Sequence, residues 1–191
     1  MRNILLIIDM LNDFVHERGT LSFKFARNIV PFIRERLYLY RMERLGLVGL
    51  ETFNVIYVCD NHTEDDLEFK RFPKHAIAGT WGAKIVDDLK PIEGTLSREK
   101  IVHKTRFNGF YDTTLGPLLD ELMPNIEGER CGKIEVVGVC TSICIMDTVG
   151  GLVERDHKVI VPVKGVADFD NDAHKFALDR MEKIYGAEIK E

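Results

Sequence analysis

Four stretches, residues 3–9, 54–60, 133–139 and 157–163, are short runs dominated by Ile and Val with little polar alternation. A strand wetted on one side alternates apolar and polar residues; a strand buried on both faces does not, and that burial is the mark of a parallel sheet covered by helices. Two shorter runs, 100–103 and 187–189, bring the expected strands to six. Between them lie amphipathic stretches. Asn28 and Pro31 open one that carries Ile33, Leu37 and Tyr40 at helical spacing, and residues 172–185 carry Phe176, Met181 and Ile184. The class is therefore α/β, with right-handed crossovers joining parallel strands.

At 191 residues, with no repeat, low-complexity tract or Pro/Gly-rich linker, the chain is expected to form one domain over residues 1–191. Its least regular part is 45–53. The 26 basic and 31 acidic residues give a net charge of -5 without a Lys/Arg block. That balance argues against nucleic acid, whose binding needs clustered positive charge, and favours a small-molecule partner. No run approaches the roughly 18 apolar residues of a membrane span, and no signal peptide is visible. Cys59, Cys131, Cys140 and Cys144 fit no secreted disulfide framework and read as cytoplasmic thiols.

Ligands of an open parallel sheet sit beyond the carboxyl ends of its strands. Those ends carry Asp9, Asp60 and Lys104, and the fourth strand runs into Gly138-Val139-Cys140-Thr141-Ser142-Ile143-Cys144. No G-x-G-x-x-G, Walker loop or G-x-S-x-G elbow is present, which weakens nucleotide and serine-hydrolase readings. Cys144 is placed to become a thiolate, favoured by Lys104 and by the amino end of a helix beginning at Thr141 and Ser142. Asp9 could take the thiol proton and pass it to a leaving amine, an amidase-like arrangement. From these residues alone a second reading stands equally: a small buried Cys and a turn-forming Asp. Downstream of the second strand, Asp60, His62, Glu68 and His75 offer two imidazoles and carboxylates, a set suited to zinc, iron or manganese. The same residues also suit an acidic, solvated loop.

Taken in order, the blocks resemble the nicotinamidase/pyrazinamidase branch of the isochorismatase-like cysteine hydrolases, from Leu5 to nearly the end of the chain. Ile8-Asp9-Met10-Leu11-Asn12-Asp13-Phe14 resembles the first-strand motif, and residues 138–145 resemble the nucleophile motif. Phe72-Pro73-Lys74-His75-Ala76-Ile77-Ala78-Gly79-Thr80-Trp81-Gly82-Ala83, with Asp60-Asn61-His62, is similar to the metal loop, and His174 and residues 177–187 fit the terminal helix and strand. The resemblance implies a three-layer α/β/α fold of Rossmann-like topology with a six-stranded, mainly parallel sheet. It also implies a triad of Asp9, Lys104 and Cys144, and an oxyanion hole from the backbone amides of Cys140 and Cys144 beside a cis Val139–Cys140 peptide. The implied divalent transition metal, zinc ahead of iron or manganese, is held by Asp60, His62, His75 and, more weakly, Glu68. Phe14, Phe72, Trp81 and Phe107 are candidate ring walls; Phe72 and Phe107 stand where the family commonly has Trp and Tyr. The implied activity is hydrolysis of nicotinamide to nicotinic acid and ammonia through a thioester in NAD salvage, with pyrazinamide as a further substrate, by a homo-oligomer. Two rivals remain: an amidase of the same fold acting on a carbamoyl or ureido substrate, and a non-catalytic binding or thiol-redox module using Cys140 and Cys144.

Overall fold

The structure, a computed structural model, describes residues 2–44, 52–92, 99–130 and 132–191. Most of the irregular stretch 45–53, and Cys131, lie outside the described residues.

The chain opens with β1 (Arg2–Ile8), the short helices α1 (Asn12–Val15) and α2 (Lys24–Asn28), and the long α3 (Val30–Arg44). Next come β2 (Thr52–Asp60), β3 (Glu99–Lys104) and α4 (Leu115–Leu122), then a small antiparallel hairpin of β4 (Asn125–Ile126) and β5 (Glu129–Arg130). β6 (Ile134–Val139), α5 (Met146–Val153), β7 (Val159–Pro162), β8 (Val166–Ala167), α6 (Asn171–Lys183) and β9 (Glu188–Lys190) complete it. The main sheet runs β3-β2-β1-β6-β7-β9, with β8 also paired to β6, and its neighbours are parallel.

β1 shows why these runs lack polar residues. Successive side chains of a strand point to opposite faces. Leu5 and Ile7 therefore pack with Ile33, Leu37 and Tyr40 of α3, while Ile4, Leu6 and Ile8 pack with Leu115 and Leu119 of α4, Val149 and Leu152 of α5, and Met181 of α6. Both faces are covered, giving the expected three layers.

The sheet has seven strands rather than six. The run at 157–163 does not continue as one strand: it stops at Pro162, a 3-10 turn covers Val163–Gly165, and β8 then resumes beside Gly138 and Val139. Pro162 lacks the N–H a ladder needs. In α6 the apolar spacing misleads, because Phe176 and Ile184 are exposed while Ala177 and Met181, four apart, make the buried stripe. Asp170 starts that helix by accepting bonds from the Asp172 and Ala173 amides. At the centre of the sheet Gly138 has φ +124°, and a Cβ there would lie 2.0 Å from the Ile8 carbonyl oxygen, so only glycine lets β6 approach the end of β1. Among the described residues, no helix is long and apolar enough to cross a membrane.

Candidate active site

The registers of β1, β2, β3 and β6 align their carboxyl ends: Ile8 pairs with Val58 and Gly138, and Asp60 pairs with Lys104. Each of these four strands delivers one polar group, directly or through the next turn, to the same place. Asp9 leaves β1 with φ +52°, a left-handed conformation uncommon for a residue other than Gly and enriched at functional sites. Its Oδ1 accepts the Asp60 amide at 2.8 Å. Lys104, 2% exposed, places Nζ 2.7 Å from Asp9 Oδ2, 2.5 Å from Asp60 Oδ1 and 3.5 Å from Cys144 Sγ. The three residues expected as a triad are thus brought together around one buried ammonium.

Electrostatics assign these groups different proton affinities. Burial pushes Asp9 up to about 6, with the Asp60 charge adding to the effect and Lys104 opposing it. Burial opposes ionisation of Asp60 too, but Lys104 and His62 outweigh it and hold that carboxyl below its usual range. Burial alone would discharge Lys104, yet Asp60 and Asp9 keep it protonated. Burial raises the Cys144 thiol well above its ordinary value, against the pull of Lys104. Lys104 therefore favours the thiolate, as its place in the sequence led one to expect, but does not by itself outweigh burial. Cys144 lies inside a π-helical turn, Thr141–Ile145, that precedes α5, and desolvation of the thiolate exceeds what Lys104 returns. A neutral thiol beside a carboxylate of raised basicity is an acid facing its base.

The turn carrying Cys144 is fixed from outside. The Ser142 amide donates to Asp168 Oδ2 at 2.7 Å, and His174 Nδ1 pairs with Thr141 Oγ1 at 2.9 Å. The Val139–Cys140 peptide is cis. Cys59, Cys140 and Cys144 are free thiols.

Next to Lys104, side-chain donor atoms of Asp60, His62 and His75 lie within 4.8 Å of one another, and all three residues are buried. His62 Nε2 is 3.6 Å and His75 Nε2 3.9 Å from Asp60 Oδ2, and Glu68 Oε1 is 3.7 Å from His75 Nε2. Both imidazoles use Nδ1 elsewhere: His75 on the Pro73 carbonyl at 2.7 Å, His62 on Asp66 Oδ2 at 3.0 Å. That assignment leaves each Nε2 lone pair directed to one spot. His62 Nε2 and Glu68 Oε2 are buried without a hydrogen-bond partner, a cost that a coordinated cation would remove. The nitrogen and oxygen donors fit zinc, iron or manganese.

A cavity of about 410 Å³ opens onto these groups, lined by Asp9, Asp60, Glu68, His75, Cys140 and Cys144 at its polar end. Phe14, Phe72 and Phe107 form walls, with Phe72 and Phe107 edge to face at 6.2 Å and Phe14 5.4 Å from the His75 ring. Trp81 does not line it. Its ring is 41% exposed and packs on His16 and Arg18 instead. Val139 and Ile143 of the nucleophile motif also line the cavity, and Thr20, Leu21, Ser22, Phe23 and Phe169, which complete the lining, were not singled out by their sequence context. Two carboxylates were missed as well. Asp13 accepts the Thr20 and Ala76 amides, fixing the segment after His75, and Asp66 braces His62. Asp13 falls inside the first-strand block and Asp66 in the acidic cluster 64–66, but nothing local distinguishes them from solvated acids.

Comparison with known proteins agrees with this geometry. Residues 3–189 match the family described as Isochorismatase domain. The chain is 28% identical to the "Uncharacterized isochorismatase family protein PncA" of Bacillus subtilis over all of both chains. It is 32% identical to the "Probable inactive nicotinamidase" of Arabidopsis thaliana, over 80% of this chain and 74% of that one. The solved nicotinamidase PncA from Bacillus subtilis superposes with a TM-score of 0.79 at 26% identity, covering all of both chains. With a family match over almost the whole chain, and a sheet whose carboxyl edge gathers an acid, a lysine and a thiol, this protein belongs to the isochorismatase family of hydrolases.

Proposed function

We propose that the chain is a metal-containing cysteine amidase that converts nicotinamide to nicotinic acid and ammonia, and that it also accepts pyrazinamide. The observation that carries this reading is the single buried Lys104 ammonium within 2.7 Å of Asp9 and 3.5 Å of Cys144, at the polar end of an aromatic-walled cavity. Asp9, held near 6, takes the Cys144 proton as Sγ attacks the carboxamide carbon. The backbone amides of Cys140 and Cys144 hold the resulting oxyanion. Asp9 returns the proton to nitrogen as the C–N bond breaks, so ammonia leaves and a thioester remains on Cys144. Asp9 then removes a proton from water, the hydroxide adds to the thioester carbon, and the acid departs as Cys144 regains its proton. Lys104 stays charged throughout, offsetting the carboxylates and steadying the sulfur as it becomes anionic.

Asp60, His62, His75 and Glu68 would hold a divalent transition metal, zinc by donor preference, which supplies an anchor for the pyridine nitrogen rather than a hydroxide source. Phe14, Phe72 and Phe107 clamp the ring and so orient the carboxamide toward Sγ.

The charge of the lining favours this substrate over a carbamoyl or ureido acid. The ionisable side chains along the cavity include Asp9, Asp60 and Glu68 but no Lys or Arg among the described lining residues, so a substrate carboxylate would find no basic side chain there and only the metal to pair with. The other rival is a silent binding or thiol-redox module, and of this only the lack of activity has a counterpart in the designation of the Arabidopsis relative as probably inactive. Ammonia release from nicotinamide, pyrazinamide and a ureido acid decides among the three. Release from the two ring amides is expected; release from the ureido acid alone, or from none with reversible loss of two thiols on mild oxidation, overturns the reading. The proposal includes a single domain over residues 1–191 acting in the cytoplasm as a homo-oligomer, which fractionation and sedimentation test.

A further inference from the structure

Behind His62 a carboxylate is engaged on both oxygens. The Asp66 side chain, 7% exposed, accepts the Glu68 amide on Oδ1 at 2.9 Å and pairs through Oδ2 with His62 Nδ1 at 3.0 Å. Arg106 Nη1 lies 3.0 Å from Oδ1 and 3.2 Å from Oδ2. Arg106 also donates to the Thr105 carbonyl and stands between Lys104 and Phe107 on the segment leaving β3. One side chain thus touches two of the four expected metal-holding residues and the segment that carries both the lysine and an aromatic wall. The two imidazoles are not braced alike: His75 leans on the neutral Pro73 carbonyl, whereas His62 leans on an anion. A carboxylate on the far nitrogen fixes the tautomer and the ring plane and makes the near nitrogen a better donor. His62 Nε2, fully buried and without a hydrogen-bond partner, is the atom that gains.

We propose that Asp66 is a positioning residue of the metal site: it aims and strengthens His62 Nε2, sets the backbone of Glu68, and is itself aimed by Arg106. This inference rests on the reading of Asp60, His62, His75 and Glu68 as metal-holding residues. Asp66 touches no substrate and takes no part in proton transfer.

Zinc affinity of the purified protein, measured by competition with a chromophoric chelator, tests it. Asp66→Ser keeps a hydroxyl able to cap the turn at Leu67–Lys70 but is too short to reach His62. It should weaken zinc binding about 10- to 100-fold, the usual loss when an outer-sphere partner is removed, with the unfolding midpoint of the metal-free protein unchanged. Asp66→Asn preserves shape and one acceptor but removes the charge; it should lose less affinity, and excess zinc should restore its turnover. Arg106→Met should lose least. Zinc affinity of folded Asp66→Ser equal to that of the wild type overturns the proposal. If Asp66→Ser does not fold, unchanged affinity in Asp66→Asn overturns it equally. A wild-type protein that binds no zinc in the same titration refutes the metal reading itself, and the proposal with it.

Discussion

His157 makes the stability of this fold fall as the pH drops from 6.5 toward 4. The residue precedes β7, is 5% exposed, and neither ring nitrogen has a hydrogen-bond partner. Burial is the main reason its pKa falls from 6.5 to about 4, and of the charges around it Arg130 and Arg155 add to the fall while Asp120 and Asp156 oppose it. The folded state therefore binds a proton less readily than the unfolded chain. Stability from this group is complete above pH 6.5 and is lost as the pH falls toward 4. At about 1.4 kcal/mol per pH unit the full gap is ~3 kcal/mol, of which ~2 kcal/mol has gone by pH 5. Residual solvent screening trims the loss at pH 5 to between about 1 and 2 kcal/mol. His157→Leu removes the titrating group and leaves an apolar side chain in its place. Urea unfolding at pH 7.5 and pH 5.0 should show the wild type losing that amount relative to the variant. Parallel losses in the two proteins would refute the reasoning, because they would mean that His157 titrates alike folded and unfolded.

Other consequences follow from the site. Cys144→Ala should abolish turnover while Cys140→Ala keeps much of it, since Cys140 is assigned only a backbone role; equal loss in steady-state assays overturns the distinction. Asp9→Asn and Lys104→Met should lower kcat by roughly 10²- to 10⁴-fold with smaller changes in KM, and near-normal kcat in either removes that residue from the triad. Chelation should impair hydrolysis of nicotinamide far more than that of benzamide, which lacks the ring nitrogen; equal sensitivity in the ammonia assay shows that the metal does not anchor the ring.

The parts of the fold that were legible are those where one-dimensional pattern and burial coincide. β1 is apolar on every residue from Ile4 to Ile8 because helices cover both faces, and its end had to be a ligand edge. β8 was missed because two residues after a proline-terminated strand carry no period. α4 was missed for the opposite reason: Gly116 and Pro117 look like a loop, yet a proline in the first turn leaves the ladder intact and lets Leu115 and Leu119 face the core. At the site, the residues proposed to act through their own chemistry, Asp9, Lys104, Cys144, His62 and His75, stand at strand ends or in quoted motifs. Those that act through geometry are harder to pick out: Asp66 is one acid of an acidic cluster, Asp13 sits in a quoted motif without a sign of what it holds, and Phe169, which lines the cavity, follows Asp168, which accepts the Ser142 amide. Trp81 was misplaced since an aromatic residue in a motif carries no information about which way its ring turns. Sequence places Lys104 near Cys144 but does not reveal how far burial offsets its pull on the thiol.

The central claim is that Cys144 carries the acyl group between the two half-reactions. Rapid acid quench of the enzyme turning over nicotinamide, followed by proteolysis and mass measurement, reads this directly. A nicotinoyl increment on the peptide containing Cys144, absent from Cys144→Ala and accompanied there by loss of ammonia release, is the predicted result. Nicotinic acid formed at a wild-type rate by Cys144→Ala, or an acyl increment on any other residue, contradicts the account.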